Sequence, residues 1–466
     1  MTGRSADAML GGPVDPPFAG SVAVSNAQLA AALTQLGYAT RRLPTPRLRD
    51  DIPLVHAETL ARRRAGAPVD LALYDDEGLA VRPPSRRWAR RTAVVCHGVL
   101  KNPGAWLGNP EIDLFIANSP YLADVIRSLL AVPDWRSRTC LDPRAFDIVT
   151  DLRLPLPCVA HPDGQPDFAG DEVPSDVLKL YDQGVVLGHA LQPGKADWFA
   201  TLAILFHLNL RAREEGAPPV RLVVFRGDLD RRVRAQIEAT LDGSAFGLED
   251  LFAPVPQLAQ PALFTLMRRC RFGLAYNTFP EPFGFQVLES VHNGCPVFTN
   301  GIGNNRHLLP EGYGITVLED PAMVLDPESS APYAQVADSI FSDLGDPEAS
   351  RARCARGRAV IGASWSEGSF RDSLTHALAR LDRPAAQAAD FETLVIAPSP
   401  LVRALDLDTG AVLCDRANQV LAPDRCRRLT GILGRRCADL WLEDPEVIDE
   451  IQSFFRQGVV TLIPSP

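Results

Sequence analysis

Residues 277–305 read NTFPEPFGFQVLESVHNGCPVFTNGIGNN, and the order of residue types here decides the architecture. A short apolar run over 272–276 ends at Asn277 and passes into a loop containing proline and glycine. Apolar spacing then predicts a helix over 284–293. Gly294-Cys295-Pro296 stops it and opens a further strand over 296–299. Strand, loop, helix and strand is the repeating unit of a parallel sheet, and such sheets bind ligands at the carboxyl ends of their strands. A helix starting at that edge aims unpaired N–H groups and its positive dipole end into the crevice, a setting for hydroxyls and phosphates. Glu281 precedes the helix and Glu289 lies within it, both near the same mouth.

The same alternation extends outward in both directions. Upstream, 184–187 and 222–225 read as buried strands. Between them a helix over 196–211 puts Phe199, Leu202, Phe206 and Leu210 on one face, and a charged helix begins at Leu229. Nearer the N-terminus, 69–74, 93–96 and 114–117 have the length of buried parallel strands. A helix over 25–37 aligns Leu29, Leu33 and Leu36 and ends at the capping residue Gly37. Residues 161–174, rich in Pro, Gly and Asp, read as a connection between domains. After a joint at 384–390 the texture changes: two strands, 401–405 and 411–414, share a turn at 406–410, then come two helical pieces and a closing strand at 459–463. The expected domains are therefore 1–165, 166–383 and a small α+β appendage, 391–466.

Bulk properties narrow the function. The 466 residues carry a net charge of −10, which disfavours nucleic acid and acidic membranes as partners. Arg425, Arg427, Arg428, Arg435 and Arg436 nevertheless form a local basic cluster. No stretch has the length of a transmembrane span, and the first residues lack the pattern of a secretory signal. Nine scattered cysteines without a CxxC pair suggest reduced thiols and a cytoplasmic protein, with no zinc site.

Glu281-Pro-Phe-Gly-Phe-Gln-Val-Leu-Glu289, with Gly294-Cys-Pro-Val and the Gly-Ile-Gly-Asn-Asn loop, resembles the E-x7-E signature of retaining GT-B glycosyltransferases, nearest to glycosyltransferase family 4. The resemblance covers about residues 15–383 and is stronger in the second half. It implies two Rossmann-like doubly wound domains facing a cleft, with closure across 161–174 excluding water. Glu281 would lie beside the donor sugar. The amides of Phe283, Gly284, Phe285 and Gln286 would bind sugar hydroxyls or phosphate oxygens, and Glu289 would accept from ribose hydroxyls. In the family a strand ends in Gly-Arg and a lysine follows, both cations gripping the diphosphate. Lys195 fits that lysine, and His189 stands where the arginine usually is. Gly20-Ser21 resembles the glycine loop over the sugar phosphate in reduced form, and His97 a histidine that contacts the transferred sugar. Asn118-Ser119 matches a strand-end pair without an assigned role.

The implied reaction moves a sugar from a UDP-, GDP- or dTDP-sugar, base undetermined, with retention, to an unknown small-molecule, glycan or peptide acceptor. It needs no other cofactor. No Asp-x-Asp stands out at a strand end, so metal-independent chemistry is expected. A sugar-nucleotide epimerase, a phosphorylase, or a non-catalytic sugar-nucleotide or peptide-binding protein on a decayed transferase fold are the alternatives. A glycoside hydrolase fits poorly, since its paired carboxylates flank one bond. The order of elements in 391–466 suggests a winged-helix-like unit, somewhat like the peptide-recognition elements of enzymes that modify ribosomally made peptides. A stabilising or dimerising appendage is the plainer reading.

Overall fold

A computed structural model describes residues 6–11, 21–43, 54–74, 89–98, 107, 109–131, 133–140, 142, 144, 148, 173–192, 194–309, 330–382, 390–415 and 419–465. The chain divides into two compact units, Met1–Pro157 with Trp365–Pro466, and Cys158–Ser364.

The first unit is built on a parallel sheet in the order β2-β1-β3-β4-β5, formed by β1 (Ala6–Gly11), β2 (Tyr38–Leu43), β3 (Leu71–Tyr74), β4 (Arg91–Cys96) and β5 (Leu114–Ala117). The runs at 69–74, 93–96 and 114–117 thus appear as β3 to β5, with every residue of β3 and β5 buried. Two strands were not expected. β1 lies inside its sheet, between β2 and β3, but carries Asp7, which pairs with Arg62, while its N–H donates to Asp70 at 2.9 Å. β2 is the sheet edge, with alternating exposure and two arginines, so neither strand reads as an apolar run. The helix Ser21–Gln35 buries Leu29 and Leu33.

The second unit repeats the plan with the order β10-β9-β8-β11-β12, again all parallel: β8 (Val186–His189), β9 (Val220–Phe225), β10 (Phe252–Val255), β11 (Phe272–Ala275) and β12 (Val297–Thr299). The order reverses between β8 and β11, the switch point at which doubly wound sheets take their ligands. At this seam Gly188 is obligatory, because a Cβ there would lie 2.2 Å from the Phe272 ring. β10 was also unexpected; its Pro254 is tolerated because β10 is an edge strand. The helix Trp198–Glu214 is buried on more than the expected face, Ala200 through Phe206 all being inside.

The expected domain boundaries change in two places. The helix Glu367–Arg380, read as the end of the second domain, belongs to the first unit. Residues 391–466 are not a free-standing appendage either. Tyr121 and Val125 of the helix Pro120–Leu130, and Trp135 and Cys140 of the hairpin β6 (Pro133–Asp134) and β7 (Thr139–Cys140), share one apolar core with Phe391, Leu394, Leu429, Leu440, Phe454 and Leu462. Polar contacts close the join: Trp441 Nε1 donates to the Trp135 carbonyl at 2.5 Å, Arg138 pairs with Glu392 and stacks on Trp441, and Ser128 meets Thr461 at 3.2 Å. Within this region β13 (Leu394–Pro398) and β17 (Val460–Pro464) pair antiparallel, and β14 (Val402–Asp406), β15 (Ala411–Cys414) and β16 (Gln419–Val420) form a small antiparallel sheet. Among the described residues, every cysteine is free and buried and no helix is long and apolar enough to cross a membrane.

Candidate functional site

The loop after β8 and the loop after β11 leave the two sides of the switch point and are stitched together. Asp197 N–H donates to the Tyr276 carbonyl at 2.8 Å, and Thr278 N–H to the Lys195 carbonyl at 3.1 Å. Residues 195 and 281, 86 apart in sequence, therefore meet: Lys195 Nζ lies 2.6 Å from Glu281 Oε2. The pair is partly open to solvent, the lysine side chain 34% exposed and the glutamate 14%. Lys195 also lies 6.0 Å above the Phe279 ring.

Gly303 sets the height of the Glu281 loop. The two backbones pair in register, Asn304 N–H donates to the Glu281 carbonyl at 2.7 Å, and a Cβ on Gly303 would come within 2.3 Å of the Glu281 nitrogen. Behind the loop the helix Phe285–His292 starts, as the sequence predicts, at Gly284. That residue adopts φ of +100°, and a Cβ there would strike Leu308 and Asn305 at 2.5 and 2.6 Å. No side chain caps this helix, so its first N–H groups face the loop as a positive end. Phe283 is buried and its ring lies 4.4 Å from that of Phe285, while Gln286 reaches back to the Leu274 carbonyl at 3.4 Å. Glu289 keeps a part-exposed surface yet is surrounded by protein. Burial pushes its carboxyl up to about 8, a hydrogen bond with Gln260 pulling the other way. The ionised carboxylate expected from the sequence is thus a protonated one at neutral pH without ligand.

No protein-family model matches the sequence, and no curated protein does. Solved structures do. A glycosyltransferase from Rickettsia africae ESF-5 superposes with a TM-score of 0.55 at 13% identity, covering 81% of this chain and 100% of that one. Sucrose-phosphate synthase from Thermosynechococcus elongatus superposes with a TM-score of 0.51 at 15% identity, covering 81% and 99%. The fold is GT-B. At such identities the likeness is one of fold, and function has to be argued from the site.

Within the GT-B frame His189 is not where a diphosphate could meet it. It is completely buried, hydrogen-bonded through Nε2 to Ser290 Oγ at 3.1 Å, and packed on Gly273, where a Cβ would lie 2.8 Å from its ring. Burial lowers its pKa to about 4, so it is neutral. The imidazole braces the helix that carries Glu289 through Ser290, and it does not supply the N–H to a diphosphate that the resemblance implies for this position. The residue closing β8 points into the core because successive strand residues alternate faces, which its sequence position alone does not reveal.

A second correction concerns carboxylates. Asp228-Leu229-Asp230 does follow β9, contrary to the expectation that no Asp-x-Asp stands at a strand end. Both groups are engaged with backbone: Asp228 accepts from Gly194 N–H at 2.9 Å, and Asp230 caps the helix Arg231–Thr240 through the N–H groups of Arg232 and Val233. Asp228 thereby anchors the loop that carries Lys195, a role the sequence reading missed. It also missed the asparagine side chains beside the helix start. Asn304 Nδ2 donates to the Phe283 carbonyl at 2.7 Å, and the side-chain oxygens of Asn277, Asn304 and Asn305 are buried with no partner among the described residues. Their trace in the sequence is the Gly-Ile-Gly-Asn-Asn run itself.

In the first unit, His97 follows β4 at the carboxyl edge of its sheet. Its Nδ1 lies 3.5 Å from Asn118 Nδ2, its Nε2 has no partner among the described residues, and burial lowers its pKa to about 4. Ser119 caps the helix Pro120–Leu130 by accepting from Leu122 N–H at 3.1 Å, so the Asn118-Ser119 pair serves the helix and the histidine. Ser21 opens the helix Ser21–Gln35, and Gly20 lies outside the described residues.

Proposed function

We propose that the protein is a retaining, metal-independent glycosyltransferase of the family 4 type, using a nucleoside-diphosphate sugar as donor. The observation that carries this is the Lys195–Glu281 pair, set at the switch point beside an uncapped helix start whose helix also bears Glu289. Breaking the bond between the anomeric carbon and the phosphate oxygen leaves positive charge on the ring and negative charge on the diphosphate. Fixed positive groups aimed at that oxygen favour the transition state over the bound donor. Lys195 and the N–H groups of Phe285 and Gln286 supply them, and Glu281 holds the lysine and orients the sugar. The acceptor oxygen attacks the face the phosphate leaves, and its proton passes to the departing phosphate oxygen. That route needs no protein nucleophile. Glu289 takes the ribose hydroxyls, and His97 contacts the transferred sugar. The free, buried cysteines favour a cytoplasmic location.

A peptide acceptor is the second reading for 391–466. What favours it is the continuous core joining this region to the first, acceptor-side unit, which would hold a winged-helix-like recognition element rigidly on that side.

Thermal melting of the full chain against a panel of nucleotides and sugar nucleotides tests the donor reading, with EDTA present and Glu289→Ala alongside. One base family should raise Tm by several degrees, a ligand at 100 times its Kd contributing about 2.7 kcal/mol, and the variant should lose most of that shift. No shift at millimolar concentration with any nucleotide would overturn the assignment.

A further inference from the structure

The free edge of the second sheet holds a cavity of about 500 Å³ lined by none of the residues assigned above to the donor. Three arginines converge on it, Arg221 from the start of β9, Arg226 just past its end and Arg234 from the helix Arg231–Thr240, with Asp176 and Glu249 as counter-charges. Arg226 Nε donates to the Pro254 carbonyl at 3.4 Å, which lays its side chain across edge strand β10.

The counter-charges do not satisfy these cations. Arg226 Nη2 stands 3.7 Å from Asp176, and Arg234 Nη1 3.5 Å from Glu249, in pairs whose side chains are 44% to 75% exposed. Exposed pairs at such distances are screened and yield to a better-matched anion. Arg221 is half-buried, and its Nε is sealed from solvent with no hydrogen-bond partner among the described residues. A buried N–H donor without an acceptor is costly until one arrives. Three forks against two carboxylates leave a net positive cavity of the size that takes a small organic ligand, with the half-buried Leu180 and Pro254 as apolar lining.

We propose that this cavity is a second ligand site, for a small phosphate monoester: the dianionic head is held by Arg221, Arg226 and Arg234, and the carbon skeleton rests on Leu180 and Pro254. Planar guanidinium forks match phosphate oxygens in pairs, and a dianion outcompetes the single carboxylates for them.

Calorimetric titration of the full chain with inorganic phosphate and with glycerol 3-phosphate, at constant ionic strength, tests the site. Both should bind saturably, the monoester more tightly. Arg221→Gln and Arg226→Gln should each weaken binding about 10-fold, the loss of one charged hydrogen-bonding group. Lys195→Ala, which removes any phosphate held at the donor edge, should leave the component that the arginine variants weaken. If either glutamine variant melts early, Arg226→Lys, which keeps the charge and loses the fork, should still weaken binding at an unchanged Tm. Absence of saturable heat at tens of millimolar, or loss of binding in Lys195→Ala with the arginine variants unaffected, would overturn the site. Equal affinity for free phosphate and monoester would overturn the choice of ligand.

Discussion

The two parallel sheets end in histidines, His97 after β4 and His189 at the end of β8, and the contrast between them shows how one scaffold is used twice. Burial keeps both rings neutral, each with a pKa near 4. His189 spends its Nε2 on Ser290 and packs against the backbone at Gly273. His97 has Asn118 as its polar neighbour at 3.5 Å and keeps a buried ring nitrogen without a partner among the described residues. The first is tied into its own sheet's helix, whereas the second has hydrogen-bonding capacity left for something else. Charge is distributed just as unevenly. The edge of the second sheet gathers Lys195, Glu281, an uncapped helix start and Glu289. The described edge of the first sheet offers a neutral imidazole and an amide.

The largest effect should follow removal of the cation paired with Glu281 at the donor edge. Lys195→Ala should lower turnover by about 10²–10³-fold, as loss of a single oxyanion-type donor does, with Tm little changed because the ion pair is partly solvated. Product formation from a sugar nucleotide identified by the melting panel measures it. Turnover within threefold of wild type would mean that another cation serves the phosphate.

The histidines should separate next. His189→Ala should cost about 2–4 kcal/mol of stability, through a cavity and an unpaired Ser290 hydroxyl, read as a lower denaturation midpoint. His97→Ala should leave that midpoint nearly unchanged and reduce turnover about 10-fold. The reverse pattern would exchange their roles.

The smallest effect is one of pH. The folded Glu289 carboxyl titrates near 8 instead of its ordinary 4.5, so between those values the folded state holds a proton that the unfolded chain has released. Stability therefore falls as pH rises through this window, by roughly 1–3 kcal/mol once partial exposure is allowed for. Glu289→Gln should flatten the slope. If ribose hydroxyls prefer the ionised form, nucleotide affinity rises from pH 6 to 9 in wild type and not in the variant. Melting curves and titrations across pH 5–9 measure both.

Much of the fold was legible wherever a strand is buried on both faces. The apolar run at 114–117 coincides with β5 to the residue, and 411–414 coincides with β15, which is buried on one face only. β1, β2, β10 and β13 escaped because Asp7, Arg41 and Arg42, Pro254 and Pro398 interrupt or end their apolar runs. In each case a pairing partner or an edge position tolerates what the local pattern argues against. The site was legible where the backbone demands a residue type. Gly284, at positive φ in a crowded corner, marks the helix start that Glu281 and Glu289 bracket.

By itself, then, the sequence determined the alternating α/β plan, the loop–helix turn at 277–293 and the residue types gathered there, because these follow from local periodicity and from what glycine and proline permit. Only the tertiary structure decided that Lys195 reaches Glu281 across 86 residues, that His189 turns into the core, and that residues 391–465 share a core with the helix Pro120–Leu130 and the hairpin at 133–140. Each depends on which strand pairs with which and on the face a side chain takes. Both are settled by burying apolar surface over the whole chain.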